Sequence, residues 1–305
     1  MRRRLAGVEL GGTKCIAILG SGPDDIQMQA EVPTTTPDAT LGALRDILGR
    51  WHRDTGFEAL GIGSFGPLDL ETGSIAATPK PGWAGAAVRD RLSDGLDIPI
   101  AIDTDVTGAA LAEGQWGAAQ GLRSFCYITV GTGIGAGVIV NGKPVGGLGH
   151  AEAGHIRVGR VPGDSWHGNC PFHGDCVEGL ASGSAIVARI GGSASGLAED
   201  DPVWDLVSDA LAQLLHALAL VATPERVIMG GGVINAQPHL VARIRDNMGK
   251  SLAGYSSPLA TPVARERFLQ TSGLGRNVGP LGALALARAA LAERGALRLP
   301  DLATS

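Results

Sequence analysis

The chain is poor in cysteine. Four cysteines in 305 residues are too few for a disulfide framework, and their thiols fit a reducing cytoplasm. Basic excess is also missing. The 25 lysines and arginines are outnumbered by 30 aspartates and glutamates, for a formal charge of −5. No lysine- or arginine-rich face is large enough to neutralise a phosphate backbone, which argues against nucleic acid as a partner. No uninterrupted run of about 18 apolar residues occurs, so no membrane span is expected. Met1-Arg2-Arg3-Arg4 has the charge of a leader, but Glu9 and Lys14 interrupt the apolar region that should follow. Tandem repeats of short period are absent. What remains is 44% hydrophobic and 18% charged, the balance of a soluble globular chain. Its length suits two domains better than one core.

Leu5 to Leu19 reads as two strands joined by a turn at Gly11-Gly12. A helix is expected over Leu41 to Arg53, a buried strand over Ala59 to Ser64, an ordered loop over 66–85 and a helix over Ala86 to Leu92. Ile98 to Ile102 reads as a strand running directly into a helix from Thr104 to Trp116. Phe125 to Val130 and Ala136 to Val140 form a second strand set, with a hairpin signal at Asn141-Gly142. Helices dominate from Ser182 onward, apart from a strand at Arg226 to Met229, and the last runs from about Pro280 to Arg294. Each half therefore opens on a strand, a glycine turn and a strand. The expected division is a small α/β domain of residues 1–118 plus the C-terminal helix 283–305, and a larger α/β domain of residues 119–282.

Three glycine clusters each follow a strand: Gly11-Gly12-Thr13-Lys14, Gly131 to Gly137, and Gly230-Gly231-Gly232. Glycine lets successive N–H groups turn towards one point and lets phosphate oxygens approach the backbone. One cluster alone would read as a tight hairpin; three favour a polyphosphate ligand. The order Gly12-Thr13-Lys14 is wrong for a Walker A loop. The second cluster contains Gly131, Gly133 and Ala136 at dinucleotide-fingerprint spacing, but it runs into a strand where that fingerprint must open a helix.

Cys170, His173 and Cys176 lie within one loop, and His155 stands upstream. Four N/S donors suit one tetrahedral, structural zinc. His150 and His167 are rival donors of lower rank. Glu152 and Glu178 flank the segment; beside His155 they suit recognition of vicinal hydroxyls, and as solvated loop carboxylates they would need no ligand. Asp105 sits at a strand-to-helix corner. It can serve either as a cap for that helix or as a general base that takes a sugar hydroxyl proton.

These segments resemble, in order, the ROK family of sugar kinases within the actin-like ATPase superfamily. The likeness rests on Gly7 to Lys14, Ile102 to Glu113, Glu152-Ala153-Gly154-His155, Val177 to Gly183 and Gly230 to Ile234. Within the family the chain is most similar to bacterial fructokinases. The signatures are Glu9, Ser64 to Leu70, Thr78-Pro79-Lys80-Pro81-Gly82-Trp83 and the Cys-x-x-His-x-x-Cys spacing. Thr107 stands where the family often has asparagine, and Ser184 where many fructokinases have proline.

The resemblance implies a two-domain actin-like (ribonuclease H-like) α/β fold with a zinc-binding loop, and ATP-dependent phosphorylation of D-fructose. It implies Asp105 as catalytic base, and sugar contacts from Thr104, Glu152, His155 and Glu178. ATP contacts would come from Gly11, Gly12, Thr13, Lys14, Thr132, Gly133, Ser184, Gly230, Gly231, Gly232, Val233 and Ile234. The structural zinc would be held by His155, Cys170, His173 and Cys176, with Mg²⁺ accompanying ATP. A cytoplasmic homodimer is expected. Glucose, mannose and N-acetylmannosamine are the alternative sugars. A sugar-sensing regulator is the rival class; its relatives carry an upstream DNA-binding domain, for which a first strand near Leu5 leaves no room.

Overall fold

The computed structural model describes residues 3–78 and 80–296. Met1 and Arg2 of the arginine-rich start, Pro79 of the signature segment and residues 297–305 of the expected C-terminal helix lie outside the described residues. The chain forms two units, the first of residues 1–116, 147–150 and 277–305, the second of residues 117–146 and 151–276. The sequence reading divides the chain at 118 and 282 and does not separate out Gly147–His150.

In the first unit β1 (Leu5–Leu10), β2 (Lys14–Gly22) and β3 (Asp25–Pro33) form an antiparallel meander. Helix α1 (Pro37–Asp54) follows, then β4 (Leu60–Ser64), the short hairpin β5 (Leu68–Asp69) and β6 (Ser74–Ile75), and α2 (Val88–Ser93). Strand β7 (Ile100–Thr104) leads straight into α3 (Asp105–Trp116). The sheet order is β3-β2-β1-β4-β7, with β4 parallel to β1 and β7 parallel to β4.

Local chemistry fixes these elements. Thr36 caps α1 by accepting the Ala39 N–H, and Pro37 pre-sets the first turn. Leu41, Leu44 and Leu48 share one wholly buried face of that helix. The C-terminal helix, Val278–Ala296, packs on β1, β4 and α3 in the same unit. It approaches so closely that a Cβ on Gly61 would lie 1.9 Å from the Ala283 carbonyl oxygen. Glycine in the middle of that strand is there for the helix, not for a bend.

The second unit repeats the plan. Strands β8 (Phe125–Val130), β9 (Ile134–Val140) and β10 (Lys143–Pro144) are antiparallel neighbours, and β11 (Arg226–Gly230) and β12 (Leu269–Thr271) add parallel on the far side, in the order β10-β9-β8-β11-β12. Helices α4 (Val177–Ala181), α5 (Gly183–Ile190) and α6 (Val203–Val221) lie between β10 and β11. Beyond β11 come α7 (Gly232–Ala236), α8 (Leu240–Leu252) and α9 (Pro262–Phe268), and the first unit's C-terminal helix is α10. Helix α6 has the length and apolar content of a membrane span, yet its Trp204, Leu211, Leu214 and Leu215 are wholly buried in this unit's core.

Two five-stranded mixed sheets of identical topology bear out the expected actin-like fold. Strands β3 and β12 and the β5–β6 hairpin have no counterpart in the sequence reading. Strand β3 carries Gln27, Gln29 and Glu31 outward at the sheet edge, which dilutes its apolar pattern, and β12 is only 3 residues long.

Candidate functional site

In the first unit, three carbonyls of the β1–β2 turn are occupied. Thr34 Oγ1 donates to the Gly11 carbonyl at 2.8 Å, the Thr34 N–H to the Thr13 carbonyl at 2.9 Å, and Lys80 Nζ to the Gly12 carbonyl. The Gly12 and Thr13 amides have no acceptor among the described residues, and both residues are exposed. Outward amides on a pinned turn form an anion-binding surface. Lys14, the cation of the sequence motif, instead pairs with Glu31 of β3 at 2.7 Å.

Asp105 is the first residue of α3 and half-buried, with one carboxylate oxygen accepting the adjacent Val106 N–H at 2.9 Å. The helix cap is Thr104, whose Oγ1 accepts the Thr107 N–H at 3.1 Å and lies 2.8 Å from the Thr107 hydroxyl. Thr104 thus caps α3, while Asp105 holds the amide of the next residue in the first turn. Thr104 itself is buried, and its N–H donates to Asp103. Burial raises the Asp103 carboxyl above the usual range, against the pull of that hydrogen bond. Glu9 of β1 is pushed up to about 7, first by burial and then by the negative charge of Asp105, with Lys14 opposing. In the sequence Glu9 stands out only as a family signature; a lone carboxylate in an otherwise apolar strand is the signal for its half-buried position.

His150 is not a metal donor: its Nε2 accepts the Leu68 N–H at 3.0 Å within the first unit. His167 stacks beside Trp166, with ring centroids 5.8 Å apart.

In the second unit the β8–β9 turn is tied at several points. Gly183 at the start of α5 donates its N–H to the Gly131 carbonyl at 2.7 Å, and Gly131 donates to Gly133 at 2.9 Å. Glu178 of α4 accepts the Ile134 N–H at 3.0 Å. A Cβ on Gly133 would lie 2.6 Å from that same Glu178 oxygen, so a side chain there would displace the carboxylate. Thr132 and Gly133 thus share one anchored loop with Glu178. Ser182 caps α5 by accepting the Ala185 N–H, which places Ser184 in the helix's first turn. Gly231 adopts φ +94 at the junction of β11 and α7, a conformation open to glycine and strained for other residues. Val233 and Ile234 lie on the short helix that follows. Glu152 is exposed and its carbonyl accepts the His155 N–H in a 3₁₀ turn.

His155, Cys170, His173 and Cys176 converge, with their ligand atoms all within 4.8 Å of one another. His155 Nδ1 lies 3.7 Å from Cys170 Sγ and 3.6 Å from Cys176 Sγ, and His173 Nδ1 lies 3.7 Å from Cys170 Sγ. A tetrahedron with Zn–S of about 2.3 Å and Zn–N of about 2.0–2.1 Å has S···N edges of about 3.5 Å. The donor set and its spacing therefore fit zinc. Because His155 turns Nδ1 to the sulfurs, Nε2 is the nitrogen left for another partner. Paired backbone bonds between Cys170 and Gly174 shape the loop, and Cys176 Sγ accepts the Gly179 N–H at the start of α4. Further out, Asp164 accepts two bonds from Arg189 at 3.0 and 2.9 Å and one from Arg160 at 2.7 Å. The Arg189 hydrogen bonds, more than any other contact, hold the Asp164 carboxyl well below the usual carboxylate range. Cys15 and Cys126 are the inert core thiols expected, both wholly buried, with burial pushing Cys126 up to about 12.

Comparison with known proteins places this architecture. Residues 5–290 match the ROK family model. A fructokinase of Pediococcus pentosaceus is 38% identical over 94% of this chain and 98% of its own length. The crystal structure of a ROK hexokinase from Thermus thermophilus superposes with a TM-score of 0.77 at 28% identity, covering 95% of this chain and 99% of that one. A ROK family glucokinase from Streptomyces griseus, solved with glucose and AMPPNP, gives a TM-score of 0.71 at 27% identity over 94% of this chain and 99% of that one. From its first strand into its last helix, the chain belongs to the ROK family.

Proposed function

We propose that the protein is an ATP-dependent sugar kinase that converts D-fructose to fructose 6-phosphate. The reading rests above all on one conjunction: a near-full-length family match in a chain whose Asp105 carboxylate stands half-buried at a strand-to-helix corner. Fructose is favoured as substrate because the fructokinase relative is 38% identical and the glucokinase structure 27%. Glucose is the second reading, supported by that glucokinase.

In the proposed reaction the sugar's 6-hydroxyl oxygen attacks the terminal phosphorus of ATP. The bond from that phosphorus to the bridging oxygen breaks, ADP leaves, and the hydroxyl proton passes to Asp105. A base so placed contributes about 10²–10⁴-fold. Glu152, Glu178 and His155 Nε2 orient the sugar hydroxyls, with Thr104 beside the base. The turns at Gly11 to Lys14 and at Thr132–Gly133, with Ser184 and Gly230 to Ile234, hold the nucleotide. Magnesium accompanying ATP would supply charge neutralisation for the phosphates. Zinc at the Cys/His loop would be structural, since all four positions are filled by the protein. A homodimer in a reducing cytoplasm completes the reading, and light scattering at twice 31.0 kDa tests the former.

The deciding experiment measures ADP release with magnesium and ATP across D-fructose, D-glucose, D-mannose and N-acetylmannosamine. Fructose is expected to give the highest kcat/KM. Asp105→Asn is expected to lose at least about 100-fold in kcat while retaining fructose binding. Preference for glucose would move the substrate, and silence with every sugar would remove the kinase reading.

A further inference from the structure

The lysine of the phosphate motif and the lysine at the phosphate turn are different residues. Lys14 is drawn along β2 to Glu31 and shares its charge with that carboxylate. Lys80, 68 positions beyond Gly12, reaches the turn instead and donates to the Gly12 carbonyl. The loop that brings it there is anchored. Trp83 is wholly buried, donates its indole N–H to the Thr35 carbonyl at 2.8 Å, and meets Phe65 edge-on at 5.1 Å. The Trp83 N–H in turn donates to the Lys80 carbonyl at 3.2 Å. Lys80 Nζ also lies 5.7 Å from the centre of the Phe65 ring.

We infer that Lys80 contacts the phosphoryl group being transferred and supplies the positive charge that this turn needs. The inference rests on the kinase reading above. Three observations carry it. First, the partners of Lys80 are a neutral carbonyl and a ring, and no carboxylate pairs with it among the described residues, so its charge is not already neutralised. Second, an ammonium has three donors and the Gly12 carbonyl takes one, which leaves donors for an anion. Third, that contact keeps Lys80 at the turn that also carries the exposed Gly12 and Thr13 amides. As the terminal phosphorus leaves the bridging oxygen of ADP for the sugar oxygen, negative charge spreads over its other oxygens and onto the departing ADP. A fixed cation there stabilises that state more than the bound substrate.

The alternative is that Lys80 merely ties down the turn. Lys80→Gln separates the two, because glutamine keeps a donor for the Gly12 carbonyl and loses the charge. Expected for Lys80→Gln are a fall of about 100-fold or more in kcat/KM for ATP, weaker ATP binding by calorimetry, and unchanged affinity for AMP and for fructose. Lys80→Arg should recover part of the loss. A Lys80→Gln enzyme with near-wild-type turnover and ATP affinity would overturn the inference, as would equal losses in Lys80→Gln and Lys80→Arg. Should the glutamine variant lose its fold, judged by fructose binding, Lys80→Ala assayed with and without ethylammonium puts the same question: rescue by the amine supports the charge, and no rescue overturns it. Failure of the kinase reading is seen separately, as wild-type protein that releases no ADP with any sugar.

Discussion

Glu9 shows how far one residue's surroundings move its chemistry. Burial in β1 is the main reason its carboxyl rises from 4.5 to about 7, and Asp105 adds to it. A carboxyl raised in the folded state keeps its proton to higher pH than the unfolded chain does. Its ionisation therefore costs the fold nothing below 4.5, an increasing amount between 4.5 and about 7, and a constant amount above that. In the ligand-free protein Glu9→Gln should thus gain stability relative to wild type as pH rises from 5 to 8, by up to ~3 kcal/mol. Urea unfolding of both proteins at the two pH values measures this, and a pH-independent gap would mean that Glu9 is already ionised in the native state. Such a residue is half legible. Its identity marks a branch of the family, but the shift comes from burial and from Asp105 of α3, which no local pattern announces. Asp105 is more legible, because a carboxylate at a strand-to-helix corner can be recognised from periodicity. That Thr104, one residue earlier, takes over the capping is settled only by backbone geometry.

At the scale of elements, the Cys/His loop and α4 form one mechanical chain. Cys176 caps α4, Glu178 lies in its first turn, and Glu178 holds the Ile134 N–H of the β8–β9 turn. Withdrawing metal should loosen Cys176 first and Glu178 next, while the β1–β2 turn keeps its Thr34 and Lys80 ties. Chelation followed by gel filtration is therefore expected to weaken fructose binding by about 10–100-fold, the range seen when support for a metal-held group is lost. ATP affinity should change less. Calorimetry on the stripped and zinc-restored protein checks this, and unchanged fructose affinity without metal would break the proposed coupling. The loop was legible because Cys170, His173 and Cys176 are close in sequence and soft ligands have narrow geometric needs. Its outer brace of Asp164, Arg160 and Arg189 was not, since those residues read as ordinary surface charge until the fold brings them together. The same holds for Lys80 on the Gly12 carbonyl.

At the scale of the whole chain, the same five-stranded plan occurs twice, and each unit has its own apolar core. The doubled opening of strand, glycine turn and strand was visible in sequence because glycine and apolar runs are local. Strands β4, β7 and β11 are also legible as apolar runs, but their parallel pairing, made through long connections, leaves no such mark. Two cores permit two unfolding events. Leu44 of α1 and Leu214 of α6 are each wholly buried, one in each core. Leu44→Ala and Leu214→Ala should each cost about 2–5 kcal/mol, the range for emptying a buried leucine site. Tryptophans report the units separately: Trp51, Trp83 and Trp116 lie in the first, Trp166 and Trp204 in the second. Denaturant titration of single-tryptophan variants is expected to show Leu44→Ala moving the first unit's transition and Leu214→Ala moving the second's. One common transition, shifted equally by either substitution, would mean instead that the chain's repeated passage between units, at 116/117, 146/147, 150/151 and 276/277, welds two cores into one cooperative fold.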